Sequence, residues 1–199
     1  GKCLPPAALS NDDLSTILDT SDAWIVSRTG IHSRRIAHVS TSQLAVVAAK
    51  HALAAAGISA EQLDGIILAT ASPDTLVPSA AAAVQRELGA SKAAVFDINA
   101  ACTGFIYGLS VGSALIKANS MQKVLVIGAE RLTHYLDWTQ RDTAVLFGDG
   151  AGAVVLEASD QALGLIADKL GCDSEASHIL AVPDSGTNRT RFQHTDGLF

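Results

Sequence analysis

Three mainly apolar segments separated by helical patterns constrain the fold more than any other feature of this sequence. They cover residues 63–70, 93–98 and 123–128. The intervening segments 79–88 and 102–119 carry apolar residues at helical spacing. Apolar strands that alternate with helices are typical of a mostly parallel sheet whose two faces are both covered. We therefore predict an α/β fold.

Local signals set the ends of several elements. Ser10 precedes acidic residues and begins a helix, and residues 41–57 form an alanine-rich helix that is buried on more than one side. Ser79 is predicted to cap the next helix, which closes at Gly89. The polar stretch 130–143 is predicted to be a loop.

A cysteine follows the second apolar run. Cys102 lies between the strand that is predicted to end near Ile98 and the helix predicted after it. The unpaired N–H groups and the dipole of a helix N-terminus favour a thiolate, and a tight strand-to-helix turn exposes its side chain for chemistry. Cys102 is therefore a candidate nucleophile. On its position alone, it is at least as well explained as a small core residue, since free cysteines are often buried.

Residues 19–30 combine helix-capping residues with a tryptophan and an arginine. Trp24 and Arg28 are four positions apart, so they would share one face of a helix. This pair suits a nucleotide, because the ring stacks on a base and the guanidinium binds phosphate. The residues alone favour the alternative of a core tryptophan beside a surface arginine.

The glycines at 148, 150 and 152 resemble part of a dinucleotide-binding fingerprint, which we reject. That fingerprint requires a helix after the glycines, because the helix N-terminus holds the pyrophosphate. Here residues 153–156 are strand-like. We interpret the glycines as a tight turn in which two backbone segments approach closely.

Charge and cysteine content exclude several classes of protein. The net charge of −6 argues against nucleic acid as the main partner. No apolar run approaches the length of a membrane span. The cysteines, Cys3, Cys102 and Cys172, are odd in number and far apart, which argues against a disulfide framework and against a metal site. We predict a protein of the reducing cytoplasm.

Three motifs together resemble the β-ketoacyl-acyl-carrier-protein (ACP) synthase III family. They are residues 19–31 (DTSDAWIVSRTGI), 99–105 (NAACTGF) and 147–153 (FGDGAGA). Their order and approximate spacing are those of the family, and the similarity extends from Leu4 to about Glu157. The resemblance implies a thiolase-like fold with αβαβα layers, of which this chain covers mainly the first α/β half, and a homodimer.

The resemblance also divides the chain. Residues 1–158 would form the half that carries the nucleophile, and residues 159–199 would begin the second half. Within the latter, residues 163–170 and 178–182 are predicted to be strands, and residues 183–199 are polar and irregular.

The reaction implied by the family is a two-step condensation. An acyl-CoA primer acylates the cysteine, and malonyl-ACP then loses CO2 and attacks the thioester to give a 3-ketoacyl-ACP, which initiates fatty acid synthesis. The CoA thioester is a substrate, and no cofactor is expected. Cys102 takes the nucleophile position, and its own N–H is one oxyanion donor. Trp24 takes the position that stacks on adenine, with Thr20 beside it, and Arg28 and Arg141 take positions that meet the nucleotide end of CoA.

Two further positions concern the acyl chain. Phe147 takes a position at the wall of the acyl pocket, and Val77 takes a position that reaches the acyl pocket of the partner subunit. Some family members carry a bulky aromatic residue at the latter position. Because valine is smaller, we expect primers longer than acetyl to be accepted.

The family also uses a histidine and an asparagine, and these are expected beyond residue 199 together with the second oxyanion donor. None of the six histidines lies in the family's histidine motif, and we expect them at the surface or in loops: His32, His38, His51, His134, His178 and His194. The chain by itself is therefore expected to stop at acylation.

Two alternatives remain open. One is a related thiolase-fold condensing enzyme of secondary metabolism, and the other is a non-catalytic subunit that binds acyl-CoA. Arg28, Arg34 and Arg35 form the one tight cluster of positive charge, and no contact with the carrier protein is assigned to it.

Overall fold

The structure is a computed structural model that describes residues 1–161 and 164–182 of the chain. The strands are β1 Lys2–Cys3, β2 Ala7–Ser10, β3 Ser33–Ile36, β4 Gly65–Ala69, β5 Ala94–Ile98, β6 Lys123–Arg131 and β7 Asp149–Glu157. The helices are α1 Asn11–Ser15, α2 Asp22–Thr29, α3 Thr41–Ala56, α4 Ala80–Leu88, α5 Gly104–Lys117 and α6 Arg141–Ala144. Short 3-10 turns cover Ala60–Gln62, Ala101–Thr103, Leu132–His134 and Ser174–His178.

Five strands form one mixed sheet in the order β1-β7-β6-β4-β5, and β2 pairs with β3 in a separate ribbon. Strand β4 runs parallel to both β5 and β6, whereas β7 runs antiparallel to β6 and to β1. The prediction of a mostly parallel sheet is therefore wrong for the second half of the sheet. A parallel strand requires a crossover connection, usually a helix, and the connection between β6 and β7 contains only a 3-10 turn and the four-residue α6.

Helices pack on both faces of the sheet, and alternate residues of β4 show this directly. Ile66 and Leu68 pack in the core formed with α3 and α4, while Ile67 packs in the core on the α5 side. All three side chains are fully buried. The apolar run thus follows from burial of the strand on both faces.

Helices α3 and α4 are capped in different ways. Helix α3 begins with a capping box formed by Ser40 and Gln43. It ends before Gly57 at φ 68°, close to the end predicted from the sequence. Ser79 makes no capping hydrogen bond. Instead, both carboxylate oxygens of Asp97 on β5 accept hydrogen bonds from the first two N–H groups of α4, at 2.7 and 2.8 Å. Ser79 thus occupies the N-cap position, as predicted, but its side chain does not cap the helix, because Asp97 accepts from these donors.

Three glycines on one face bring α5 unusually close to the sheet. Gly104, Gly108 and Gly112 are spaced four residues apart and are all buried. A Cβ at Gly108 would lie 2.8 Å from Cγ1 of Val126, and one at Gly112 would lie 3.3 Å from Cγ2 of the same residue. The absence of side chains on this face therefore sets the distance between α5 and β6.

Other predicted elements differ in extent or in environment. The stretch predicted as a loop over 130–143 holds the end of β6, a 3-10 turn and α6. Strand β5, predicted to be buried, lies at the edge of the sheet and is half-buried over most of its length. The edge position explains the exposure, because β5 has a neighbour on one side only among the described residues.

The chain forms two compact units, Gly1–Asp168 and a second that begins at Lys169. Residues 164–170 and 178–182 contain no strand, so both strand predictions are wrong for the described residues. Neither segment is part of the five-stranded sheet or of the β2–β3 ribbon. Leu163 and residues 183–199 lie outside the described residues, and the boundary predicted after residue 158 stays a prediction.

Within the part of the chain that the structure describes, none of the helices combines the length and the apolar character that a membrane span needs.

Candidate active site

Cys102 lies in the turn that joins β5 to α5. It occupies the middle of the 3-10 turn Ala101–Thr103, and α5 begins two residues later at Gly104. The thiol is free, and the residue is exposed. The predicted order of strand, cysteine and helix is confirmed.

The backbone at this turn is held in a conformation that few residues adopt. Ala101 has φ 47°, in the left-handed region that L-residues with a Cβ rarely occupy. The Oδ1 atom of Asn99 accepts a hydrogen bond from the Ala101 N–H at 3.2 Å, and the Thr103 hydroxyl donates to the Ala100 carbonyl at 2.8 Å. These local bonds fix the direction in which the following thiol points. The turn between β5 and α5 resembles the strained turn that presents the nucleophile in other α/β enzymes.

A second group forms around Trp24 on α2. The Arg28 guanidinium lies 4.3 Å from the centre of the Trp24 ring, as their spacing on a helix predicts. The Arg141 guanidinium, from α6, lies 4.5 Å from the same ring centre. The Arg141 side chain also donates to the Asp19 carbonyl at 2.9 Å. The structure therefore brings Trp24, Arg28 and Arg141 together from two distant parts of the sequence.

This group carries uncompensated positive charge. Neither Arg28 nor Arg141 forms an ion pair within the described residues, where the ion pairs are Arg86–Glu87 and Lys123–Glu157. A cation over an aromatic face is worth about 0.5–1 kcal/mol at an exposed site. A ring flanked by two such guanidiniums suits a flat aromatic base that carries phosphate groups.

Thr20 lies just before α2 and carries an unusual polar atom. Its hydroxyl oxygen is buried and has no hydrogen-bond partner in the protein. A buried hydroxyl without a partner is costly. An open cavity of about 470 Å³ is lined by residues that include Leu18, Asp19 and Arg141, and Thr20 is not part of its lining.

A half-buried carboxylate organises the segment that leads to Val77. Glu130 at the end of β6 accepts hydrogen bonds from the Ala71 N–H at 2.8 Å and from the Ser72 hydroxyl at 2.5 Å. The Ser72 carbonyl in turn accepts from the Thr41 hydroxyl at 2.6 Å. Burial raises the pKa of Glu130, and the hydrogen bonds from Ser72 and Ala71 oppose that shift. Val77 itself is 82% exposed.

Phe147 follows α6 and is half-buried. A Cβ at the next residue, Gly148, would lie 3.1 Å from Cβ of Arg34 and 3.2 Å from the carbonyl oxygen of Arg35. The predicted close approach of two backbones is confirmed here. The predicted turn does not extend to Gly150 and Gly152, because both lie within strand β7 and pair with β6.

The structure shows no hydrogen bond or ring contact between Cys102 and the group around Trp24 within the described residues. The five described histidines are all exposed, as expected: His32, His38, His51, His134 and His178. His194 lies outside the described residues. Sequence reasoning missed Asp97, Glu130 and the buried Arg34, whose partners are distant in sequence.

Comparison with known proteins assigns the family. The sequence profile of 3-oxoacyl-ACP synthase III, a synonym of β-ketoacyl-ACP synthase III, matches residues 96–174. The chain is 61% identical to β-ketoacyl-ACP synthase III 2 from Vibrio cholerae serotype O1, over 100% of this chain and 55% of that protein. The chain belongs to the β-ketoacyl-ACP synthase III family. The resemblance predicted from the three motifs is confirmed by these matches.

Solved structures of the β-ketoacyl-ACP synthase III family share the fold. The enzyme from Aquifex aeolicus is 51% identical with a TM-score of 0.80, covering 81% of this chain and 53% of that one. The enzyme from Thermus thermophilus is 43% identical with a TM-score of 0.86, covering 89% of this chain and 56% of that one. The predicted thiolase-like α/β fold is confirmed. The chain spans about half the length of the relatives it matches.

Proposed function

We propose that the protein is a β-ketoacyl-ACP synthase III, which condenses an acyl-CoA primer with malonyl-ACP. The observation that carries this proposal is an exposed thiol on a strained strand-to-helix turn. The nucleotide site around Trp24 supports it, because a CoA thioester needs both a nucleophile for its acyl group and a site for its nucleotide end.

In the first step, the Cys102 thiolate attacks the carbonyl carbon of the acyl-CoA. The carbonyl oxygen becomes an oxyanion, to which the Cys102 N–H donates one hydrogen bond. The tetrahedral intermediate collapses, the carbon–sulfur bond to CoA breaks, and CoA leaves as a thiolate. For adenine to stack on Trp24, the Arg141 guanidinium must leave the ring on which it now lies and cover the other face of the base. Arg28 then binds phosphate oxygens and Thr20 donates to the nucleotide.

In the second step, malonyl-ACP loses CO2 and its carbanion attacks the acyl-Cys102 carbonyl. The bond from that carbon to Cys102 sulfur breaks, which restores the thiolate and releases the 3-ketoacyl-ACP. The family's histidine and asparagine would polarise the malonyl thioester carbonyl in the part of the protein beyond residue 199. In this scheme, the residues of this chain carry out the acylation step.

The proposal is tested on the full-length protein by incubation with acetyl-CoA and peptide mapping by mass spectrometry. We expect one acetyl group on the peptide that contains Cys102. Subsequent addition of malonyl-ACP should yield 3-ketobutyryl-ACP. An acylated enzyme that accepts malonyl-CoA but not malonyl-ACP would instead indicate a condensing enzyme of secondary metabolism. Binding without any adduct on Cys102 would indicate a non-catalytic acyl-CoA-binding subunit.

Trp24 should affect only substrates that contain the nucleotide. We expect Trp24→Ala to lower the rate of acylation by acetyl-CoA by about 10–100-fold, because the stacking surface for adenine is lost. Acetyl-pantetheine, which lacks the nucleotide, should acylate wild type and variant at equal rates. Trp24→Phe, which keeps an aromatic face, should recover part of the lost rate. Equal losses with both thioesters would contradict the assigned role.

Val77 should set the length of the primer. We expect wild type to be acylated by octanoyl-CoA and acetyl-CoA at comparable rates. Val77→Phe should lower the octanoyl-CoA rate about tenfold relative to acetyl-CoA, because the larger side chain would shorten the partner's pocket. If acetyl-CoA exceeds octanoyl-CoA by orders of magnitude in the wild type, Val77 does not act in this way.

A homodimer and a cytoplasmic location complete the proposal. Strand β5 lies at the edge of the sheet with one hydrogen-bonding side unpaired among the described residues, and a second copy could extend the sheet there. Leu76 and Val77 are both more than four-fifths exposed, as expected of side chains that contact a partner subunit. Three free cysteines are consistent with a reducing compartment.

A further inference from the structure

Arg34 is a buried cation that joins three separate segments of the chain. It lies on β3 and is only 4% exposed. Its guanidinium donates to the Leu9 carbonyl at 3.0 Å, to Oδ1 of Asn11 at 2.8 Å and to the Val145 carbonyl at 3.1 Å. These acceptors come from β2, from α1 and from the residue directly after α6.

The burial of this charge is not explained by an ion pair. No carboxylate contacts Arg34 within the described residues, and its Nε atom is buried without a partner. Burial lowers the pKa of the Arg34 guanidinium through desolvation, although an arginine remains charged. Burying an unpaired charge costs free energy that an apolar side chain would avoid. The presence of an arginine at this position is therefore explained by the geometry of its hydrogen bonds.

The hydrogen bonds continue from Arg34 to the nucleotide site. The Asn11 amide nitrogen donates to Oδ1 of Asp22 at 2.8 Å and to the Ile31 carbonyl at 2.7 Å. Asp22 lies in the first turn of α2, the helix that carries Trp24 and Arg28. Arg34 thus connects the start of α2, through Asn11, with the end of α6.

The two helices joined in this way hold the two guanidiniums that flank Trp24. Arg28 lies on α2 and Arg141 lies on α6, 113 positions away. Ile25, Ala144 and Val145 also pack together in one apolar cluster. Apolar contacts are non-directional and permit small shifts. The hydrogen bonds of the planar Arg34 guanidinium have fixed directions, so they restrict such shifts between α2 and α6.

We propose that Arg34 is a positioning residue for the nucleotide site, because it fixes α2 against α6 and so sets the spacing of Arg141 from Trp24. This inference rests on the proposed binding of CoA at Trp24. Arg34 itself contacts neither the nucleotide site nor Cys102. Lysine is no substitute, because a single ammonium on a flexible stem cannot reach all three acceptors in fixed directions.

The test compares two thioesters on the full-length protein. Acetyl-CoA carries the nucleotide, whereas acetyl-pantetheine lacks it, and the rate of Cys102 acylation is followed by intact-protein mass spectrometry. We expect Arg34→Lys to lower the acetyl-CoA rate about tenfold and to leave the acetyl-pantetheine rate unchanged. The matched control is Arg35→Lys, the same substitution on the adjacent residue, which binds only the Pro5 and Pro6 carbonyls. It should change neither rate.

A second pair of variants tests the same chain of hydrogen bonds from its exposed end. Asp22 is exposed, so its substitution should leave the fold intact. Asp22→Ala removes the acceptor for Asn11 and should lower the acetyl-CoA rate in the same selective way. Asp22→Asn keeps an Oδ1 acceptor and should retain the wild-type rate. Should Arg34→Lys fail to fold, judged by circular dichroism, this pair decides the question.

The outcomes separate this inference from the function on which it rests. Equal losses with both thioesters, or wild-type rates in both folded Arg34→Lys and Asp22→Ala, would overturn the positioning role. If the wild type is not acylated by either thioester, the proposed function fails and the inference fails with it. If the wild type is acylated equally fast by both, the nucleotide site is wrong while Cys102 stands as the nucleophile.

Discussion

Replacement of Cys102 by serine is expected to lower acylation by acetyl-CoA by about 1000-fold or more, because the nucleophile itself is removed. A serine hydroxyl is hardly ionised at neutral pH and is a far weaker nucleophile than a thiolate. The measurement is the mass increase of the intact full-length protein with time after addition of acetyl-CoA.

The matched control for this experiment is Cys172→Ser. Cys172 is also a free, exposed cysteine, but it lies in the second compact unit and no role in the reaction is assigned to it. We expect this variant to be acylated at the wild-type rate. Transfer of the acetyl group to another residue in the Cys102→Ser protein, or loss of acylation in the Cys172→Ser protein, would contradict the assignment of Cys102.

Replacement of Gly108 by valine is expected to lower the free energy of unfolding by about 3 kcal/mol, a large part of the total of a typical domain. A Cβ at this position would already lie 2.8 Å from Cγ1 of Val126. Val126 is fully buried on β6, and its branched side chain has little freedom to move. Helix α5 would therefore have to move away from the sheet.

Urea unfolding of the full-length protein, followed by circular dichroism, measures this loss. Gly108→Ala should show a smaller loss, because a helix gains about 1 kcal/mol from replacement of glycine by alanine. Lys117→Val places the same branched residue at an exposed position of α5 and should change the stability by about 1 kcal/mol or less. If Gly108→Val is no less stable than Lys117→Val, the close packing of α5 is not required.

The Gly108 series also connects packing with chemistry. The turn that holds Cys102 leads directly into α5, so a shift of the helix would move the thiol relative to the CoA site. Variants in this series that still fold should therefore lose acylation rate with acetyl-CoA and acetyl-pantetheine alike. Variants at Trp24 or Arg34 should instead lose it with acetyl-CoA alone.

Features that depend on near neighbours could be predicted from the sequence. The contact between Trp24 and Arg28 follows from their spacing on a helix, and the end of α3 follows from Gly57. The turn at Cys102 follows from an apolar run that is succeeded at once by a helical pattern. The family motifs then related these local features to a single reaction, the condensation of an acyl-CoA with malonyl-ACP.

Features that depend on partners far apart in sequence could not be predicted from the residues. Asp97 caps α4 because β5 runs beside the start of that helix. The antiparallel direction of β7 follows from a connection that does not cross the sheet. Nothing in the local sequence distinguishes Asp97 from other acidic residues, or marks the return of the chain after β6.

The sequence by itself determined the alternation of strands and helices, the turn at Cys102, the Trp24–Arg28 pair and the family. Each of these is fixed by residues within a few positions of one another, where backbone geometry limits the arrangements. Only the tertiary structure decided that Arg141 reaches Trp24 and that Arg34 is buried rather than part of a charged surface. Both depend on how α2, β3 and α6 pack, and that packing is set by contacts that span more than a hundred residues of the chain.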